Sequence, residues 1–223
     1  MKDFWINDTN VLLATNNLLS DMSGISWALT INTERLILRP QQPSDYEAWY
    51  AGFSGRLPKQ HQYDDGLVSL DHCDRHWFAD LCLRHQQQAL TDRVFVFGIF
   101  SRQTEQHLGN IDLSTIRRQE HQWAILGYEI HNQHWRQGFG REAVRATLIA
   151  GFETLSYHRI EAAINLDNQA SIALAQSVGM QKECIRRGFL YENEQWVDHF
   201  IYVALPSDLG LVEKPPAISP LGI

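Results

Sequence analysis

The chain switches repeatedly between two spacings of its apolar residues, one repeating every second position and one every third or fourth. In "TERLILRP", residues 33–40, Leu36 and Leu38 alternate with Arg35, Ile37 and Arg39 before Pro40, which predicts a first strand. Ser44 and Glu47 then stand three apart ahead of an apolar run, the spacing of a capping box, and predict a helix start. From Val68 to Gln88, Leu70, Cys73, Trp77, Leu81 and Leu83 recur at near-helical intervals, so a second, longer helix is expected there.

Three β-rich runs follow, Arg93 to Phe100, His107 to Ile116 and Gln122 to Ile130, with short polar connections. Short links favour an antiparallel meander. Beyond a glycine-containing turn, Val144, Leu148, Phe152 and Leu155 form one helical stripe that should end near Ser156 and Tyr157. "HRIEAAINL" reads as the next strand. A helix should open at Asp167 or Asn168 and close at Gly179, and "QWVDHFIYVAL" is the last strand, reached through a hairpin at "YENEQW". The order describes a mixed α+β domain with one strand-helix-strand crossover.

Composition narrows this picture only slightly. The 223 residues suit one domain with tails, and 44% hydrophobic residues are ample for a core without metal or disulfide staples. A formal net charge of −7 argues against a general nucleic-acid binder and makes a cationic substrate more natural. Cys73, Cys82 and Cys184 form no disulfide framework. Neither a signal peptide nor an apolar run of membrane-spanning length is evident, so the expected setting is cytoplasmic. Residues 1–28 read as an N-terminal extension, as a helix or an arm, and 206–223 as a proline-rich tail.

Candidate chemistry centres on "HWRQGFGREA", where Gly138 and Gly140 lie between a predicted strand and a predicted helix. Helix N-termini present unpaired amides and partial positive charge, and glycines let a ligand approach that backbone closely. A Walker loop is excluded because no Gly-Lys-Ser/Thr triplet follows. Gly138, Gly140 and Ala143 spell a dinucleotide fingerprint, but the preceding meander and the short remaining chain oppose it. A helix start without any ligand is the third reading of this turn.

Several motifs in order resemble the GNAT superfamily of acyl-CoA N-acyltransferases, specifically its RimJ/RimL-type branch. They are "TERLILRP", "LGN", "GYEI", "HWRQGFGREA", "HRIEAAINLDNQASIALAQSVGM" and "WVDHFIY", spanning about residues 33 to 204. The resemblance implies a GNAT domain over 29–205, with a mostly antiparallel mixed sheet, flanking helices and splayed central strands. It implies acetyl-CoA as cosubstrate, its pyrophosphate on the amides of Gln137, Gly138, Phe139, Gly140 and Arg141 with charge from Arg136 and Arg141. The pantetheine arm would pair with backbone near Glu129 and Ile130, where a strand bulge is expected, and Asn168 and Ser171 would lie near the sulfur. The acceptor would be a protein N-terminal amine or a small amine, on a monomer or homodimer with no nucleic-acid or membrane partner.

Many relatives carry a tyrosine seven residues after this asparagine as the acid for the departing thiolate, whereas this chain has Ala175. Ser171 is the substitute the branch suggests, although a helix-opening hydroxyl also has an ordinary capping role. The missing tyrosine also leaves open a non-catalytic acyl-CoA-binding module. For the base, Glu129 is the first candidate and Glu192 the second. Cys73, His76, Cys82 and His85 imitate zinc spacing, but on one helix the cysteines would be about 13 Å apart in rise, too far for one tetrahedral ion. The same helical region, with Trp77, Phe78 and Tyr63, would by resemblance shape the acceptor groove.

Overall fold

The computed structural model describes residues 26–216. Eight strands form one sheet in the order β1-β2-β3-β4-β5-β6-β8-β7. They are β1 (Ile31–Asn32), β2 (Leu36–Arg39), β3 (Val94–Ser101), β4 (His107–Arg117), β5 (Trp123–Ile130), β6 (Arg159–Asn165), β7 (Gln181–Glu192) and β8 (Gln195–Ala204). Four α-helices accompany them: α1 (Tyr46–Ser54), α2 (Arg75–Leu90), α3 (Phe139–Glu153) and α4 (Gln169–Ser177). The expected meander is present as β3, β4 and β5, all antiparallel. The crossover is β5-α3-β6, which makes the sheet's parallel pair.

Alternation along the strands sorts side chains between the two faces. Ile111 and Leu113 of β4 join Val144 and Leu148 of α3 and Ala175 of α4 in the main core. Asn110 and Asp112 take the intervening positions, and Asn110 meets Gln41 and His107 on the side where α1 lies. A second core of Trp49, Phe53, Cys73, Phe78, Leu81 and Cys82 joins α1 to α2. Trp27 packs edge-on against Phe97 at 4.9 Å, and Leu209 and Leu211 pack on the main core beyond β8. The helix-or-arm reading of the N-terminus lies outside the described residues up to position 25.

Three sequence expectations shift. Ser44 and Glu47 do not form the predicted capping box: a 3-10 turn at Pro43–Asp45 precedes α1, and Asp45 accepts the Gln42 amide at 2.8 Å. Proline fixes the backbone for that tighter turn, and Glu47 is drawn instead to Arg75. The second helix starts at Arg75 rather than Val68 because Asp74 caps it, accepting the Trp77 amide at 2.8 Å. Its apolar periodicity extends back into a turn in which Cys73 N–H bonds Leu70. β7 is a long edge strand that the sequence reading captured only as one side of a hairpin. Eight of its twelve residues are exposed and none is buried, so no apolar alternation marks the strand.

Candidate active site

β5 and β6 pair only from Trp123↔Arg159 to Ile125↔Glu161 and then diverge. This opening is the splay implied by the resemblance. The bulge expected near Glu129 and Ile130 is not where the strand opens: β4 and β5 stay in regular register from Gly109↔Ile130 to Thr115↔Ala124. Gly109 permits that register, with φ +153 and its Cα so close to β5 that a Cβ would lie 2.0 Å from the Glu129 carbonyl oxygen. His131 N–H bonds Leu108 O on β4 at 2.8 Å. Backbone groups alternate sides along a strand, so those of Glu129 also face β4, while those of Tyr128 and Ile130 face the opening. Of the edge expected near Glu129 and Ile130, the open groups are therefore those of Tyr128 and the Ile130 amide, because the Ile130 carbonyl already accepts from Trp135 Nε1 at 2.6 Å.

The glycine turn sits at one end of this opening. Gly138 is the N-cap of α3 at φ 82, without a side-chain cap, and Arg136 is also left-handed at φ 60. The first amides of α3 thus keep their donor capacity for a ligand. Arg35 holds the turn in place, donating from Nε to Glu142 at 2.6 Å and from Nη1 to Gln137 O at 2.9 Å. Its guanidinium also stacks 4.7 Å from the Phe139 ring centre. Burial works against the Glu142 charge, but bonds from Thr33 and Arg35 outweigh it and hold this carboxyl below its ordinary range. Its negative charge in the first turn of α3 is therefore already matched by Arg35.

Two cavities meet at the splay. One, of ≈ 670 Å³, runs past the glycine turn and is lined by Ile130, Trp135, Arg136, Gly138, Phe139, Gly140 and Arg141. The other, of ≈ 510 Å³, is lined by Asp65, Asp112, Gly127, Asn165, Glu192 and His199 among others. Tyr63, Tyr128, Glu129, Asn168 and Ser171 border both. Gln137, also expected at the turn, is not in the cavity wall and contributes its carbonyl to Arg35.

The shared wall brings together residues from separate elements. Asn168 caps α4 by accepting the Ser171 amide at 3.2 Å, so its oxygen shapes the helix start. The Tyr128 hydroxyl reaches the Ser171 carbonyl at 3.5 Å, a long contact, and burial pushes this phenol up to about 12 against the pull of Ser171. Ala175, where the tyrosine of many relatives would lie, is fully buried. Glu129 is tied to Arg56, whose other side pairs with Asp64 at 3.2 Å. Burial raises the Glu129 carboxyl and Arg56 draws it back down, leaving it above the usual range. Glu192 accepts from Asn165 at 2.8 Å and stands 3.6 Å from His199.

The segment after α1 is fastened by the same group of residues. Asp64 accepts the Gln60 and Gly66 amides at 2.8 and 2.9 Å and the Asn132 side chain at 3.0 Å. Those bonds, with burial opposing them, keep Asp64 below the ordinary carboxylate range. They carry His61, Tyr63 and Asp65 to the cavities, and His61 stacks on Trp135 at 5.0 Å. Trp77 and Phe78 do not shape the acceptor groove as expected: both pack in the second core. Cys73 and Cys82 are buried there as well, and among the described residues no cluster of three or more His, Cys, Asp or Glu side chains could hold a metal ion. No helix among them is long and apolar enough to cross a membrane.

Residues 35–181 match the family model described as an acetyltransferase (GNAT) domain. The chain belongs to this family of N-acetyltransferases. It is 31% identical over 172 residues to the uncharacterized N-acetyltransferase YoaA of Bacillus subtilis (strain 168), covering 77% of this chain and 94% of that protein. It is 29% identical over 108 residues to the ribosomal protein uS5-alanine N-acetyltransferase of Escherichia coli (strain K12), covering 48% and 56% of the two chains. Mycobacterium smegmatis RimJ, solved in complex with CoA-disulfide, superposes with a TM-score of 0.67 at 20% identity over 83% of this chain and 88% of its own.

Sequence reading located the glycine turn, Asn168 and Ser171 because they are contiguous motifs. Arg35, Arg56, Tyr128 and Asp112 were missed as site residues. Arg35 and Tyr128 lay inside the quoted motifs "TERLILRP" and "GYEI", so their positions were in view. What gives them roles is contact with Glu142 and with α4.

Proposed function

We propose that this chain transfers the acetyl group of acetyl-CoA to a primary amine, with a protein N-terminal amine as the preferred acceptor. The observation that carries the reading is the meeting of an amide-rich groove and a carboxylate-lined cavity at Tyr128, Glu129, Asn168 and Ser171. The relationship to the uS5-alanine N-acetyltransferase supports the choice of acceptor. The site has the features the cosubstrate needs: an uncapped helix N-terminus at a left-handed glycine for the diphosphate, and an open strand edge for an amide-bearing arm.

Bound acetyl-CoA supplies the activated acyl thioester. The amides of Gly138, Phe139, Gly140 and Arg141 hold the diphosphate, with Arg136 and Arg141 adding charge and Gln137 completing the turn. The Ile130 amide faces the arm. Confinement of both reactants at the junction makes their encounter effectively unimolecular. For the departing sulfur, the Tyr128 hydroxyl is a stronger donor than the Ser171 hydroxyl, because a phenol raised to about 12 is still far more acidic than an alcohol. Asn168 and Ser171 set the start of α4 beneath it. Glu129 and Glu192 give the acceptor side a negative wall that suits an amine arriving as its cation.

The test is thioester consumption by the full chain with acetyl-CoA and three acceptor types: peptides with free N-terminal alanine or serine, spermidine, and glucosamine. Peptide turnover at the highest kcat/KM is expected. Preference for spermidine or glucosamine would move the acceptor to the small-amine class. Acetyl-CoA binding without turnover of any acceptor would leave an acyl-CoA-binding module and defeat the enzymatic reading.

A further inference from the structure

The acceptor cavity contains a carboxylate that none of the foregoing roles uses. Asp112 lies on β4 directly opposite Gly127 of β5, on the same face as Glu129, and it lines the cavity although only 5% of it is exposed. Directly opposite positions bring Cβ atoms to about 5 Å, so a side chain at 127 would stand over Asp112. Glycine there leaves its carboxyl open to the cavity. The next residue is Tyr128, at the junction with the cofactor groove.

Asp112 differs from the other acids of this wall in its partners. Glu129 is bound to Arg56, and Glu192 is engaged by Asn165 with His199 nearby. Asp112 accepts a hydrogen bond from Ser114 Oγ at 2.8 Å, and among the described residues it enters no salt bridge. Among the described residues, no lysine or arginine lines this cavity. A buried carboxylate without a cation is costly and gains most from an arriving ammonium.

We propose that Asp112 receives the acceptor amine, pairing with its ammonium form and then taking its proton. The proposal rests on the transferase reading above. The proton passes from the ammonium nitrogen to the Asp112 carboxylate, and the freed lone pair forms the C–N bond to the thioester carbonyl carbon as the C–S bond breaks. The nitrogen's second proton leaves with the sulfur through the Tyr128 hydroxyl, giving amide and thiol, and Asp112 returns its proton to water. Burial pushes Asp112 up to about 7, with Ser114 pulling it down, a poise suited to a base at neutral pH.

Other titratable groups face the same space: Asp65, Glu129 with Arg56 behind it, Glu192, His199, Tyr63 and Tyr128 in the wall, and Tyr157 beyond it. The test therefore follows the one carboxyl directly. The full chain, labelled with 13C at the aspartate side-chain carboxyl carbon and saturated with CoA, is titrated by NMR with and without an alanine-initiated peptide. A resonance titrating near neutral pH, absent in Asp112→Asn, is expected to shift its midpoint at least one pH unit lower when peptide is added. A midpoint that saturating peptide leaves unmoved overturns the proposal, whether or not the peptide is turned over.

Kinetics give a second reading. Asp112→Asn should lower kcat at least 100-fold while CoA affinity stays within twofold. Ser114→Ala should move the acidic limb of the rate profile to higher pH, because it removes the bond that favours the carboxylate. Wild-type kcat in Asp112→Asn, or an acidic limb unmoved by Ser114→Ala, would refute the role of Asp112 and leave the transferase assignment standing. Failure of the wild type to turn over any amine would instead strike the transferase assignment, with the NMR titration still deciding on Asp112.

Discussion

The two cavities that meet at the splay are built from different materials. The groove past α3 offers main-chain donors: a left-handed glycine, an uncapped helix start and a strand edge that β6 leaves unpaired. The cavity proposed for the acceptor is lined by residues of β4, β5, β6, β7, β8, the start of α4 and the segment after α1, with several carboxylates among them. Backbone donors suit a ligand common to a whole family, because they survive exchange of side chains. Acceptor choice can then change by substitution in the other wall without disturbing the groove. The asymmetry also extends to charge, with Arg136 and Arg141 beside one cavity, Asp65, Asp112 and Glu192 beside the other, and Glu129 at their junction.

Changes at glycine should break this division most severely. Gly109→Ala would place a Cβ 2.0 Å from the Glu129 carbonyl oxygen. Because the obstacle is backbone, the end of β5 must move. A loss of about 3 kcal/mol or more is expected, measured by denaturant unfolding, with both cavities affected. Gly138→Val acts on one side only: at φ +82, and with Arg35 Nη2 3.2 Å from the new Cβ, the turn is strained. Acetyl-CoA affinity should fall about 100-fold, about 2.7 kcal/mol, by calorimetry, while the Asp112 titration keeps its midpoint. Equal damage to that titration would show that the two cavities are not separable.

A pH series sharpens the contrast between the acid of the acceptor wall and the histidines beneath α1. Burial holds His107 down to about 4 and His131 well below its usual value, in a network where their nitrogens lie 3.0 Å apart. A depressed histidine stabilises the fold above its unfolded value near 6.5, and that contribution is lost as pH falls toward 4. Asp112 has the opposite sign: raised from 3.8 to about 7, it favours the fold below 3.8 and loses that contribution as pH rises through 7. Asp112→Asn should therefore gain stability relative to wild type between pH 5 and about 8. Thermal melting at both values measures it, and an unchanged difference would show that Asp112 titrates normally.

The smallest expected effect is at the clamp on the glycine turn. Glu142→Gln keeps the shape but weakens the grip on Arg35, whose side chain is 43% exposed. Solvent screening limits such a pair to about 1 kcal/mol. CoA affinity should drop no more than about fivefold, consistent with that limit, by calorimetry, and peptide KM should not change.

The same division explains what could be read from the sequence. Strands β2 to β6, the crossover and the glycine turn before α3 were legible because period, glycines and the Asn168 cap are local signals. β7 was less so, since much of this edge strand is exposed and lacks a buried face to impose alternation. The start of α1 was read in the right place but with the wrong cap, because Pro43 and Asp45 form a 3-10 turn ahead of it in place of the Ser44 and Glu47 box. The role of Asp112 was not visible in "GNIDLST", because its meaning lies in the glycine across from it on β5. Glu129 looked like a free base until Arg56, 73 residues earlier, was found against it.

The parting of β5 and β6 after three residue pairs has a thermodynamic corollary. On the proposed reading, a sheet interrupted there would be completed by its own reactant, the bound arm acting as a temporary ninth strand. Part of the binding energy is then folding energy, and the ligand tightens the framework that positions it. Solvent exchange should consequently slow at the amides of Tyr128 and Ile130, while those of Gly127 and Glu129, already turned toward β4, keep their own rhythm.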